Sequence, residues 1–237
     1  MFAPPPPVFL LAGSVVAMVA IVSVIAGVAT VTTQKVQGML TGGDPKEKGL
    51  QGLLREWRAG LTDRRAALMK LKRAELDLLA LHPKPEAKLL RGKHRTAGAI
   101  ESIYAEPVGY FVTQAFPRAK RPHRLTLVAT ADGDYVYTQR GEETHVTVAG
   151  RAFGVIERGA LTPAGGADVA ARLLPQSDRR TVHVDTPART IGVLLRPEAR
   201  AQVVPRAFEF VDVNTDAERR LLEVMTYHYL LTENLPA

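Results

Sequence analysis

Residues 1–34 carry no charged side chain, and within them Val8 to Val31 form 24 nearly unbroken apolar or small residues. At about 1.5 Å per residue a helix of that length is roughly 36 Å long, enough to cross a hydrocarbon core of about 30 Å. The sequence therefore predicts a transmembrane helix over residues 8–33, preceded by a proline-rich N-terminus at 1–7. A cleavable signal peptide is the rival, because Ala26-Gly27-Val28-Ala29 is small enough for a peptidase site. Two features favour a retained anchor. No Lys or Arg precedes the run, and the run exceeds the roughly 7–15 residues of a signal core.

The flanks set the expected orientation, since Lys and Arg beside a span resist translocation. Lys35, Lys46 and Lys48 follow the run, with only Asp44 and Glu47 among them, so the N-terminus is expected outside and the C-terminal portion in the cytoplasm. Gly13, Ala17, Ala20, Ser23 and Gly27 recur at three- and four-residue spacing. Small residues on one face permit close helix approach, which makes self-association in the membrane an option, although Gly and Ala are also simply common in such helices.

The formal charge of +7 is local. Between Lys35 and Arg95 there are 15 basic and 7 acidic residues, whereas residues 96–237 hold 16 basic and 17 acidic ones. Eight of the nine lysines fall between Lys35 and Lys93. A polybasic stretch beside a span is attracted to anionic headgroups by roughly 1 kcal/mol per basic residue near the surface. The expected anionic-lipid contacts are Lys35, Lys46, Lys48, Arg55, Arg58, Arg64, Arg65, Lys70, Lys72 and Arg73. No nucleic-acid partner is expected, because the distal part is electrically balanced and its aromatics do not interleave with a basic stripe.

Residues 34–82 read as a basic amphipathic helical region. Leu50, Leu54, Trp57, Leu61, Leu68, Leu71 and Leu78 recur at spacings of three, four or seven, which is one helix face. Gly60 and Thr62 suggest a division into a helix near Lys46–Ala59 and another near Asp63–Leu81, with Thr62 as N-cap. This face could lie on the membrane or pack on the distal domain. Residues 83–95, with Pro83 and Pro85, read as a linker.

From residue 96 the period shortens to that of strands, giving an α+β chain with a β-rich barrel or sandwich over 96–237. Expected strands are Ala99–Tyr104, Tyr110–Ala115, Arg124–Thr130, Asp134–Arg140, Thr144–Ala149, Ala152–Glu157, Thr181–Asp185, Thr190–Arg196, Ala201–Pro205 and Phe208–Val213. Asp132-Gly133 is a hairpin signal. Gly165-Gly166 opens a loop or a short helix through Ala167–Leu174. The last helix, capped by Thr215 or Asp216, is apolar around most of its circumference, so it is expected to be buried on nearly every side.

Two segments look alike: Thr144-His-Val-Thr-Val-Ala-Gly-Arg-Ala-Phe-Gly-Val-Ile and Thr181-Val-His-Val-Asp-Thr-Pro-Ala-Arg-Thr-Ile-Gly-Val-Leu. Each is an alternating strand, a turn and an Arg-x-Φ-Gly-Val-Φ strand. With the strand at Phe208–Val213 and the helix Glu218-Arg-Arg-Leu-Leu-Glu-Val-Met, the last 95 or so residues resemble the tubby-like family that includes phospholipid scramblases and their bacterial relatives. The resemblance implies a β-barrel around a hydrophobic C-terminal helix. It also departs from that family, since the apolar span is N-terminal and the scramblase cysteine cluster is absent, and a shared fold would not by itself confer scrambling.

Few chemistries are open to these residues. Without cysteine there is no disulfide, thiol nucleophile or Cys-ligated metal. Outside the apolar run the serines are Ser102 and Ser177, neither in a Gly-x-Ser-x-Gly turn. Arg91-Gly92-Lys93-His94 superficially resembles a phosphate loop but lacks its spacing and its hydroxyl. His183 and Asp185 share one strand face and form a candidate polar pair, most simply a solvated one. Asp132 and Asp134 could in principle hold calcium, though a plain hairpin turn explains them. His228 is expected to make a core hydrogen bond. No catalytic residue, cofactor or metal site is assigned. The sequence favours a single-pass, non-enzymatic binding or assembly module. The alternatives are a lipid-handling protein of the tubby-like sort and an enzyme with an unrecognised site.

Overall fold

Residues 45–86, 95–116, 123–177, 180–196 and 206–233 are described in a computed structural model of the chain. The predicted span at 8–33, its small-residue stripe and Lys35 lie outside the described residues, as does the expected strand Ala201–Pro205. Among the described residues no helix is long and apolar enough to cross a membrane.

Alternation of apolar and polar side chains builds one antiparallel sheet of twelve strands in sequence order. They are β1 Lys84–Pro85, β2 Arg95–Glu101, β3 Pro107–Phe116, β4 His123–Thr130, β5 Gly133–Arg140, β6 Glu143–Val148, β7 Arg151–Glu157, β8 Ala160–Pro163, β9 Ala171–Pro175, β10 Thr181–Asp185, β11 Thr190–Leu195 and β12 Phe208–Val211. Every neighbour in sequence is a neighbour in the sheet. All twelve strands belong to one hydrogen-bonded sheet.

The two edges of the sheet are joined. Leu79 bridges Ser102 beyond β2, and Ala80 bridges Arg206 before β12. Ala80 N–H donates to the Glu101 carbonyl at 2.9 Å, and Ala207 N–H donates to the Leu79 carbonyl at 2.7 Å. One short segment thus satisfies backbone groups on both sides, leaving fewer unpaired edge groups than an open sheet of this length has.

The interior is filled by α2, Asp216–Glu233. The Thr215 hydroxyl accepts from Glu218 N–H at 3.1 Å, and the Glu218 carboxylate accepts from Thr215 N–H at 3.2 Å, a reciprocal capping box. Leu222 to Tyr227 and Tyr229 to Leu231 are buried consecutively, which a helix achieves only when enclosed on most sides. Tyr137 on one wall donates to the Val224 carbonyl at 3.0 Å, and Gly192 on β11 lies against Leu222.

A second core lies outside the sheet. α1, Pro45–Arg65, lays Leu54, Trp57 and Leu61 onto Ala97, Ala99, Tyr110, Val112, Leu125 and Leu127. Of the two placements open to this amphipathic face, the structure adopts packing on the β domain. The expected break at Gly60 does not occur, because the helix runs through to Arg65. Thr62 is not an N-cap; its hydroxyl donates back to the Arg58 carbonyl at 2.9 Å. Beyond it the chain forms a 3-10 turn, Arg73–Leu78, instead of a second helix to Leu81. Lys84 and Pro85, expected in a linker, pair with Ala99 and Gly98 as β1. The stretch expected as loop or helix at Ala167–Leu174 is partly strand β9, and β8 was not expected.

The look-alike segments are two equivalent hairpins offset by 38 residues. In β6–β7 the register runs Val146↔Gly154 then Thr147↔Ala152. In β10–β11 it runs Val184↔Gly192 then Asp185↔Thr190. Each carries a bulge at the same place, with Phe153 and Ile191 as the extra residues.

Candidate functional site

The β4–β5 hairpin gathers four of the ion pairs found among the described residues. Arg58 and Arg65 of α1 both donate to the Asp134 carboxylate, at 2.8 and 2.7 Å. Arg65 also donates to the Thr130 carbonyl at 3.0 Å. Asp132 faces Lys70 at 2.6 Å and Arg219 of α2 at 3.0 Å. Partial burial alone would raise the Asp132 pKa, but the Lys70 and Arg219 charges and hydrogen bonds hold it below the usual carboxylate value. From Arg219 the chain of contacts continues inward. Its Nε donates to Glu223 at 2.9 Å, and Glu223 accepts from the Tyr135 hydroxyl at 2.6 Å. Burial, with Tyr227 and Glu223 nearby, keeps Tyr135 protonated far above its ordinary range.

With Lys70, Arg58, Arg65 and Arg219 around them, Asp132 and Asp134 are neutralised by protein cations, so calcium would have to displace four basic groups. Among the described residues no cluster of three or more potential metal ligands occurs. The cluster's chemistry is that of a clasp joining α1, the hairpin and α2.

The residues expected at lipid are divided by the fold. Arg64 pairs with Glu86 at 2.9 Å and covers the Tyr110 ring at 5.5 Å. Arg73 donates to the Asn214 carbonyl and lies 3.4 Å from Asp216. With Arg58, Arg65 and Lys70, five of the ten thus contact acceptors of the β domain or its flanking segments. Arg55 and Lys72 are exposed, and the backbones of Lys46 and Lys48 start α1. These pairings could not be seen in the sequence, since 76 residues separate Arg58 from Asp134.

His183 and Asp185 stand on the same face of β10 but are not joined. Asp185 accepts from the Thr190 hydroxyl at 2.7 Å across the hairpin. His183 lies in a cross-strand row between Leu174 and Val193, continued by Phe210. Leu174 and Phe210 are the exposed members of that row.

Sequence reasoning missed a polar patch inside the sheet. Arg124, Thr126, Tyr137, Gln139 and Thr144 point inward and, with His228 and Thr232 of α2, line a cavity of about 10 Å³. That volume suits about one water molecule. The signal was the strand alternation itself, because Arg124 and Thr126 share a face with the inward Val128. Burial lowers the His228 pKa to about 4, so its imidazole is neutral here, 6.1 Å from the Tyr137 ring. A second hollow, a groove of about 350 Å³, runs between Ala80–Lys84 and Glu101–Ala105.

No family model matches the chain, and no match was found among curated proteins or solved structures.

Proposed function

We propose that the chain is a single-pass membrane-anchored, non-enzymatic binding or assembly module whose β-rich barrel is held at the cytoplasmic membrane surface. The observation that carries this reading is the charge-free run over residues 8–31 followed at once by the basic excess of residues 35–95. The docking of α1 supports it mechanically. Trp57 is fully buried against the sheet, so α1, the first described element after the apolar run, is fixed to the β domain. Self-association through Gly13, Ala17, Ala20, Ser23 and Gly27 belongs to the same proposal. The test is a C-terminal tag in intact spheroplasts. Resistance to external protease is expected, and degradation without permeabilisation contradicts the topology.

A second reading, lipid handling of the tubby-like sort, draws support from one observation. The meander of twelve strands wraps an apolar C-terminal helix, as the resemblance implies. It expects binding to anionic vesicles that survives neutralisation of the basic residues in 35–95. Loss of binding on neutralisation favours a surface-held module instead.

A further inference from the structure

Strand alternation places polar side chains at one level of an otherwise apolar interior. The register aligns Arg124 of β4 with Gln139 of β5, and Gln139 with Thr144 of β6, so the three share one cross-strand row. Thr126 and Tyr137 form the next row on the same face, followed by Val128 and Tyr135. His228 and Thr232 of α2, one helical turn apart, meet these rows at the cavity of about 10 Å³.

Positive charge at this cavity goes unmatched. Arg124 is half-buried, and among the described residues its guanidinium meets no carboxylate and no hydrogen-bond acceptor. Arg58, Arg65 and Arg219, by contrast, each reach a carboxylate. The Thr144 hydroxyl and the His228 imidazole line the same cavity and likewise have no hydrogen-bond partner among the described residues. Their neighbours are already committed. Tyr137 donates to the Val224 carbonyl, Gln139 donates to the Gly141 carbonyl at 3.2 Å, and the Thr126 and Thr113 hydroxyls pair at 2.8 Å. Thr232 donates to the His228 carbonyl at 2.8 Å. Among the described residues no Asp or Glu lines the cavity. A cation withdrawn from water without a counter-charge is costly, and so are donors left without an acceptor.

We propose that this cavity is a halide site, taking one chloride-sized monovalent anion against the Arg124 guanidinium, with the Thr144 hydroxyl and the His228 ring as further donors. Size selects the ligand, because a space suited to one water molecule does not admit phosphate, sulfate or an organic carboxylate whole. Chemistry selects against water. Arg124 offers only N–H donors, and water brings no charge, whereas a halide accepts from all three groups and supplies the missing negative charge. The inference stands apart from the membrane-anchored reading and holds whether or not that reading does.

The test is thermal unfolding of the full-length protein in non-ionic detergent, with sodium chloride or sodium bromide replacing sodium gluconate stepwise at constant ionic strength. A ligand bound only by the folded state raises the midpoint as its concentration passes the dissociation constant. Chloride and bromide are each expected to raise the wild-type midpoint progressively over gluconate. Arg124→Gln should abolish that rise. Thr144→Val, which removes a hydroxyl and little volume, should shift the curve to severalfold higher halide concentration. Arg172→Gln, at an exposed position on β9, should leave it unchanged. A wild-type midpoint that is the same in halide and in gluconate means that the cavity holds water only, and it overturns the proposal. So does a rise that persists in Arg124→Gln or, should that variant not fold, a rise that is unaltered in Thr144→Val.

Discussion

Trp57 shows at single-residue scale what fixes α1 to the sheet. Its side chain has no exposure, and its indole N–H finds no acceptor. Its contribution is therefore area and packing rather than hydrogen bonding. Trp57→Ala should destabilise by about 3–5 kcal/mol in denaturant unfolding. Trp57→Phe, which removes the unpaired N–H and keeps an aromatic ring but leaves part of the indole volume empty, should cost less than Trp57→Ala. A mild Trp57→Ala would mean that α1 is not docked in solution. Trp57 was readable in advance as part of an apolar stripe; what the stripe faces was not, because a periodic face looks the same against lipid and against a sheet.

His228 gives a pH-dependent consequence at the same scale. In the folded chain burial holds it neutral down to about pH 4, whereas an unfolded histidine binds a proton near pH 6.5. Between those values the unfolded state carries more protons. The contribution is thus complete above about pH 6.5 and is lost as pH falls toward 4. His228→Gln should flatten that limb of a stability-against-pH curve, and an unchanged slope would contradict the buried placement. Asp132 acts lower, because its pKa is depressed in the folded state; its contribution is present above about pH 4 and disappears below it.

At the scale of elements, the paired hairpins give the sharpest mutational contrast. A Cβ on Gly154 would stand 2.4 Å from the Thr162 carbonyl oxygen, a backbone atom that cannot move alone. On Gly192 it would meet Leu222 Cδ1 at 2.7 Å, the far end of a side chain that can rotate. Gly154→Ala should therefore cost more than Gly192→Ala, on the order of 1–3 kcal/mol for the former. Equal losses in thermal or denaturant unfolding would argue against the bulged register of β6–β7.

These hairpins were legible because β-branched and aromatic residues alternate across clear turns. β8 and β9 were not. Ala160-Leu-Thr-Pro163 is too short to show a period, and Ala171-Arg-Leu-Leu-Pro175 is rich in good helix formers that the sheet overrides. The join at Leu79–Ala80 was hidden for a related reason, since it falls inside the leucine-rich run that reads as a helix to Leu81. Gly60 with Thr62 suggested a break, yet Trp57 and Leu61 anchor the turn on either side and keep the helix intact.

On the scale of the whole molecule, the β domain's near-neutral sum conceals a local concentration of ion pairs at the β4–β5 hairpin, where Asp132 and Asp134 meet Arg58, Arg65, Lys70 and Arg219. The sequence shows the sum, and only the fold shows which charges meet. The Asp132–Asp134 clasp was invisible for the same reason, because its cations come from α1, the following loop and α2, all distant along the chain. The apolar run needs no such assembly to be read, and it supports the largest functional statement.

That statement, a retained anchor holding a docked barrel at the membrane, is tested most directly by alkaline carbonate extraction with intact-mass measurement of the full-length protein. The account predicts that the chain stays in the membrane pellet at the mass of all 237 residues. Release into the supernatant, or a pellet species shortened by loss of the first 26 to 29 residues, would contradict it.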